Sequence, residues 1–153
     1  MAPRRTRKDD DKARRWGRTT LRDSARMERV RSRGTAPERA FEELLIAVGV
    51  PYRRHVVGLP GKPDFLLPFQ RSVCMIHGCF WHQHPGCAKA TLPARNRNLW
   101  KAKFSRTKVR DSQSARALRS LGYRVLVFWE CQVENRRRVL HRLESNLDAF
   151  ARL

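Results

Sequence analysis

Two hydrophobic periods run along this chain, and the switches between them mark its elements. From Thr35 the helical period comes first: Ala40, Phe41, Leu44, Leu45 and Val48 share one face. Thr35, three positions ahead of Glu38, forms a capping-box pattern, and Pro37 suits the first turn. Gly49 and Pro51 stop the helix. Tyr52 to Val57 then reads as a strand and Leu59-Pro60-Gly61-Lys62-Pro63 as a turn. Asp64 to Leu67 and Ser72 to His77 read as two more strands, joined by a short turn across Pro68 to Arg71. From Gly78 to about Pro93 the pattern is irregular and rich in Cys, His and Trp. A long helix is predicted from Arg97 to Ser120, with Leu99, Trp100, Phe104, Val109, Ala117, Leu118 and Leu121 apolar and Gly122 at its end. Tyr123 to Trp129, dense in Val and aromatics, predicts the strongest strand. Val139, Leu140, Leu143, Leu147 and Phe150 mark a closing helix. This order predicts an α/β fold with a mixed β-sheet flanked by helices.

Charge changes the picture next. The 153 residues hold 34 Lys plus Arg against 14 Asp plus Glu, a net charge of +20. Such a balance implies a polyanionic partner, with nucleic acid ahead of an anionic membrane surface. A membrane-spanning protein is excluded, because no apolar run approaches the ~18 residues needed. The basic N-terminus has no apolar stretch behind it, so it is not a secretory signal. Residues 1–34 read as a basic tail, partly disordered and DNA-contacting, with Leu21 to Val30 able to become helical on DNA. Residues 35–153 form the folded domain. A cytoplasmic location keeps the four cysteines reduced or metal-bound.

The irregular segment contains His77-Gly-Cys79-Phe-Trp-His82-Gln-His84-Pro-Gly-Cys87, two Cys and three His within eleven positions. Packing alone does not account for that density, whereas tetrahedral zinc takes four nitrogen or sulfur ligands. Cys79, Cys87 and one histidine qualify, and Cys131 can reach in from the end of the last strand; spacing does not choose between His82 and His84. His82 is equally a candidate for proton transfer, since an imidazole does that work near neutral pH. Cys74, within an apolar strand, reads as a small buried hydrophobe. Asp64 opens one strand and His77 ends the next, so neighbouring strands can bring them together. Phosphodiester cleavage needs a hard cation, and magnesium takes one or two carboxylates. Glu38 is either a second carboxylate or only a helix cap. Phe80, Trp81 and Trp100, flanked by Arg95, Arg97, Lys101 and Lys103, suit stacking on or wedging between bases; for Trp100 a core position is the competing reading.

Three runs together resemble the bacterial very short patch repair (Vsr) endonuclease family: Leu59-Pro-Gly-Lys-Pro-Asp64-Phe65, Ile76-His-Gly-Cys-Phe-Trp-His82 and Trp129-Glu-Cys131. The helix from Asn98-Leu-Trp100-Lys through Arg110-Asp111 is similar too. The resemblance spans roughly Met27 to Cys131. It implies a restriction-endonuclease-like core with a structural zinc. It also implies a magnesium-dependent nick 5′ to the T of a T:G mismatch left by 5-methylcytosine deamination. On this resemblance Asp64 binds the catalytic metal, helped by the Ile76 backbone carbonyl, and His77, His82 and Glu38 complete the active site. Cys79, His84, Cys87 and Cys131 match the zinc ligands. Phe80, Trp81 and Trp100 match the aromatics that enter the duplex, with Lys103 beside them, and Met27 matches a residue reaching the groove from the other side. The expected setting is a monomer on the bacterial nucleoid, followed by downstream mismatch-repair proteins.

Two departures stand out. His84-Pro-Gly-Cys87 is one residue longer than the family's usual spacing, and the basic N-terminus is longer than usual. Three rival readings remain: a related nicking nuclease of other mismatch or site specificity, a non-catalytic zinc-stabilised DNA-binding module, and a ribosomal-type RNA binder. The last leaves the His/Cys/Trp cluster unexplained.

Overall fold

The computed structural model describes residues 33–148. Most of the tail, with Met27 and the helix expected at 21–30, lies outside the described residues, as does Phe150. Helix α1 (Ala36–Ala47) starts where the capping pattern places it. Thr35 Oγ1 accepts the Glu38 N–H at 3.4 Å, and the Glu38 carboxylate accepts the N–H groups of Gly34 (2.8 Å) and Thr35 (3.4 Å). Donors that the first helical turn leaves without partners are thereby satisfied.

Four strands follow: β1 (Arg53–Arg54), β2 (Phe65–Leu67), β3 (Ser72–His77) and, after helix α2 (Arg97–Ser120), β4 (Arg124–Trp129). They form one sheet in the order β1-β2-β3-β4. The first three pair antiparallel, and β4 pairs parallel with β3, from Ser72↔Arg124 to His77↔Trp129. The sheet is mixed because a hairpin turn joins β2 to β3, whereas α2 carries the chain back to begin β4 at the same end as β3. Two short helices, α3 (Glu130–Val133) and α4 (Arg136–Asp148), close the described chain.

Two expectations need correction. The strand read across Tyr52 to Val57 is only two residues long. His55 turns left-handed at φ +47, which ends the pairing while its N–H still donates to the Asp64 carbonyl at 3.1 Å. Val56 and Leu59 then fold against the α2 side of the sheet, and Val57 is left 93% exposed. On α2, Val109 (54% exposed) and Leu121 (51% exposed) do not join the core. Only Phe104 and Leu118 are buried, and the half-buried strip between them carries the polar residues Thr107, Asp111 and Ser114. The closing helix is present as α4, its start capped by the Asn135 side chain, which accepts the Arg138 N–H at 3.1 Å.

Two apolar clusters sandwich the sheet. On one face Phe41, Leu44 and Leu45 of α1 meet Phe65, Cys74 and Phe128 of the strands and Val139 and Leu143 of α4. On the other, Leu118 of α2 packs with Leu66, Val73 and Met75. β3, central in this sandwich, is buried along nearly its whole length. The Pro60–Gly61 turn presses so closely on α2 that a Cβ at Gly61 would lie 2.6 Å from the Ser114 Cβ. Among the described residues no helix is long and apolar enough to cross a membrane.

Phe41 is the keystone of the larger cluster, with ring centroids 5.3 Å from Phe65 and 4.7 Å from Phe128. Phe41→Ala is expected to cost about 3–5 kcal/mol of unfolding free energy, read from the urea midpoint. A loss below about 1 kcal/mol would show that the site collapses around the cavity.

Candidate active site and metal centre

The site lies where β2 has ended and β3 continues. Asp64 precedes β2, and its N–H donates to the Cys74 carbonyl at 3.1 Å. Its carboxylate accepts the Ile76 N–H at 2.7 Å. Within one strand residue the N–H and C=O face the same edge. The Ile76 carbonyl therefore faces the edge that β2 vacates, alongside Asp64. Glu38 and His55 join from α1 and the end of β1, and Asp64, Glu38 and His55 can each offer a ligand atom within 4.8 Å of the others. His55 Nε2 is 3.9 Å from Glu38 Oε2. Glu38 thus caps its helix and faces the cluster at once. Burial pushes the Asp64 carboxyl up to about 6; the Ile76 N–H opposes this, the Glu38 charge adds to it, and His55 and His82 oppose it. A buried, oxygen-rich site that raises a carboxyl in this way suits a hard cation, which restores the charged form.

His77 and His82 stack face to face, with ring centroids 3.9 Å apart and planes within 9°. His82 Nδ1 is 2.6 Å from Asp111 Oδ2, on α2. A carboxylate at Nδ1 favours the tautomer with its proton there and leaves Nε2 the lone pair. Burial, reinforced by His82, pushes His77 down to about 4, so it stays neutral. Burial works to raise the Asp111 carboxyl, but the His82 hydrogen bond and the charges of His82, His77 and Arg110 outweigh it and hold the carboxyl low. These three side chains line an open cavity with Met75, Val127 and Trp129.

A second donor set lies beyond the strand ends. Cys79, His84, Cys87 and Cys131 offer ligand atoms within 4.8 Å of one another. His84 Nδ1 is 3.3 Å from Cys131 Sγ and 3.7 Å from Cys79 Sγ. Three sulfurs and one imidazole at these separations match tetrahedral zinc. None of the four cysteines forms a disulfide. Burial is the main effect pushing the Cys79 thiol up to about 12, whereas the Lys89 N–H leads in lowering Cys87. The extra residue before Cys87 is absorbed in a turn: Gly86 takes φ +70 after Pro85, and the Cys87 N–H returns to the His84 carbonyl at 3.3 Å. Glu130 ties the loop back, accepting the Cys79 N–H at 3.2 Å.

Phe80, Trp81, Trp100 and Phe104 form one aromatic cluster, with neighbouring centroids 5.0–6.2 Å apart. Phe80, Trp81 and Trp100 are half-buried, so Trp100 belongs to neither core cluster. Lys103 Nζ sits 4.7 Å from the Trp81 ring centroid and 5.0 Å from that of Trp100. Burial lowers its pKa, with help from Arg106.

The fold therefore brings Asp64, Glu38, Ile76, His77 and His82 to the end of β3 and separates His84 into the cysteine cluster. Sequence reasoning missed Asp111 and His55. Asp111 carried a usable signal, as the only acidic residue of α2. His55 carried none, since its place depends on the left-handed turn.

A family model described as DNA mismatch endonuclease Vsr matches residues 18–89. The type II nicking enzyme V.XorIIP of Xanthomonas oryzae pv. oryzae is 39% identical over 122 residues, which cover 80% of this chain and 89% of that protein. DNA mismatch endonuclease Vsr of Escherichia coli K12 is 36% identical over 116 residues, covering 76% and 74%. The catalytic domain of the homing endonuclease I-Bth0305I superposes with a TM-score of 0.53 at 20% identity, covering 76% of this chain and 98% of that one; this likeness concerns the fold alone. Fold and kinship together define a DNA endonuclease. The chain belongs to the Vsr family of DNA mismatch endonucleases.

The raised Asp64 carboxyl has a stability consequence. The folded chain holds this proton more tightly than the unfolded chain, so stability falls as pH rises from about 4 through about 6. Asp64→Asn keeps an acceptor for Ile76 without the charge. Without added magnesium it is expected to be more stable than the native chain at pH 8, by the order of 1–3 kcal/mol, with the gap closing toward pH 4. Equal thermal midpoints at pH 8 would contradict the burial argument.

Proposed function

We propose that this endonuclease nicks one strand of duplex DNA 5′ to the T of a T:G mismatch, with magnesium at Asp64 and zinc at the cysteine cluster. The observation that supports this best is the Asp64 carboxylate held on the Ile76 N–H, one residue before His77 of the His77–His82–Asp111 group, in a chain of mismatch-endonuclease kinship.

Asp64, the Ile76 carbonyl and, through water, Glu38 would hold the catalytic cation. When bound, such an ion neutralises charge developing on the scissile phosphate. His82, oriented by Asp111, takes the proton of the attacking water at Nε2. His77, kept neutral, hydrogen-bonds a phosphate oxygen. In-line displacement leaves a 5′-phosphate and a 3′-hydroxyl. Cys79, His84, Cys87 and Cys131 would hold zinc and so cross-link the loop to the sheet. Phe80, Trp81 and Trp100 wedge into the duplex, at a cost of a few kcal/mol that is smaller where pairing is already distorted. On the family resemblance, Met27 would reach the groove from the other side. Lys103 and the basic residues of α2 and the tail contact phosphates, which makes binding salt-sensitive. A monomer matches the asymmetry of a mismatch, and the nick would hand the strand to downstream repair proteins on the bacterial nucleoid.

The test is a nicking assay on a labelled T:G duplex, with a panel of flanking sequences, other mismatches and paired DNA beside it. Magnesium-dependent cleavage at the T is expected. Asp64→Ala should bind the duplex like the native chain while losing at least about 10²-fold in rate, and His82→Asn about 10²–10⁴-fold. Cys131→Ser should lose zinc and, with it, much of its thermal stability. Full nicking by Asp64→Ala would remove the catalytic assignment. Cleavage confined to another mismatch or site would favour the second reading, a nicking enzyme of different specificity, which the kinship to type II nicking enzymes supports. Tight binding with no cleavage on any duplex would leave a binding module.

A further inference from the structure

Trp129 takes no part in the chemistry above, yet its ring stands between the two donor groups. It is the last residue of β4, paired in register with His77 at the end of β3. One face of its indole lies on His84, with centroids 4.2 Å apart and planes within 13°. His77 meets the same indole edge-on, at 5.4 Å and 75°. From His77 the contacts continue through the parallel stack to His82 and from there to Asp111.

The backbone repeats this link. Cys79 comes two residues after His77, and Cys131 two residues after Trp129, so both strands run straight from the ring pair into the cysteine cluster. Glu130, between Trp129 and Cys131, accepts the Cys79 N–H. The Trp129 N–H donates to Gln132 Oε1 at 3.3 Å, which holds the strand end in place. A ligating imidazole has its bound nitrogen fixed by the ion, and the groups around it fix the orientation of its ring. A ring stacked flat on that imidazole inherits the plane. A ring met edge-on by a second imidazole passes the orientation on.

We infer that Trp129 is a positioning residue: it transfers the ring plane set at the Cys79–His84–Cys87–Cys131 centre to His77 and, through the His77–His82 stack, to the His82–Asp111 pair. This rests on the roles proposed above for zinc and for His77 and His82. On this inference the zinc centre does more than cross-link the loop; it sets the angle from which the histidines address the phosphate.

Trp129→Leu, Trp129→Phe and His84→Cys in the full chain provide the test. Zinc content, affinity for mismatched duplex, single-turnover nicking and the His77 and His82 ring-proton shifts at one fixed pH would be compared. Trp129→Leu is expected to keep one zinc per chain and near-native DNA affinity, to shift both sets of ring signals and to slow nicking on the order of 10²-fold. Trp129→Phe, which keeps a flat ring, should recover most of the rate. His84→Cys retains four soft ligands and its zinc but loses the stacked face, so it too should shift the His77 and His82 signals and slow the nick. Unmoved ring signals with nicking within about twofold of native would overturn the inference, as would a Phe variant no better than Leu. If Trp129→Leu does not fold, His84→Cys decides on the same two readouts. If the native chain nicks no mismatch at all, the functional proposal falls, while the ring signals still decide whether the two centres are linked.

Discussion

The parallel, in-register pairing of β3 and β4 is the constraint on which the rest depends. It ends at His77 opposite Trp129, and Ile76, Cys79 and Cys131 all lie within two residues of that line. Parallel strands run the same way, so both chains leave the sheet at one end and the residues after them meet there. An antiparallel β4 would send Cys131 to the far end of the sheet, away from Cys79. β2 pairs only as far as Cys74, three residues short of the end of β3, and that gap exposes an edge of β3 on which the Asp64 carboxylate meets the Ile76 N–H. The crossover through α2 then sets Asp111 above the same strand ends, because the helix carrying the chain back must run over that face of the sheet.

Electrostatics gives this geometry its sense. A chain of net charge +20 attracts DNA over much of its surface without distinguishing where it is cut. The few acidic groups do the discriminating. Asp64 and Glu38 are gathered at one place, where burial makes the Asp64 charge costly until a cation shares it. Asp111 is the lone carboxylate on a basic helix, and it is spent on His82. The positively charged chain thus surrounds a small, partly desolvated acidic centre at Asp64 and Glu38.

Much of this was legible in the residues. Helix α1 followed from Thr35, Glu38 and Gly49, and α2 from its length and Gly122, because caps and stops are local chemistry. β4 was legible from its Val and aromatic density. What escaped notice depends on contacts between distant parts of the chain. The strand expected through Val57 breaks at His55, and no local signal marks a left-handed histidine whose N–H is held by Asp64. Val109 and Leu121 keep helical spacing, but α2 also lines the cavity beside His77 and His82 with polar groups, so spacing overstated its core. Asp111 looks like any surface aspartate until the fold brings it to a histidine twenty-nine positions earlier.

His82 and His84 show how the fold decides what spacing left open. Both histidines sit in one loop between the same two cysteines, two residues apart. The turn that returns the His84 N–H to the Cys79 carbonyl at 3.0 Å brings the His84 ring in among the sulfurs. The turn before it, with the His82 N–H on the Gly78 carbonyl at 3.1 Å, points His82 back over His77. One loop thus delivers two imidazoles to two different environments, a soft sulfur cluster and a carboxylate-bearing cavity, and Trp129 touches the ring on each side. Placing both histidines on a single short loop ties their geometries together, because the turns that aim the two rings share the segment between Gly78 and His84.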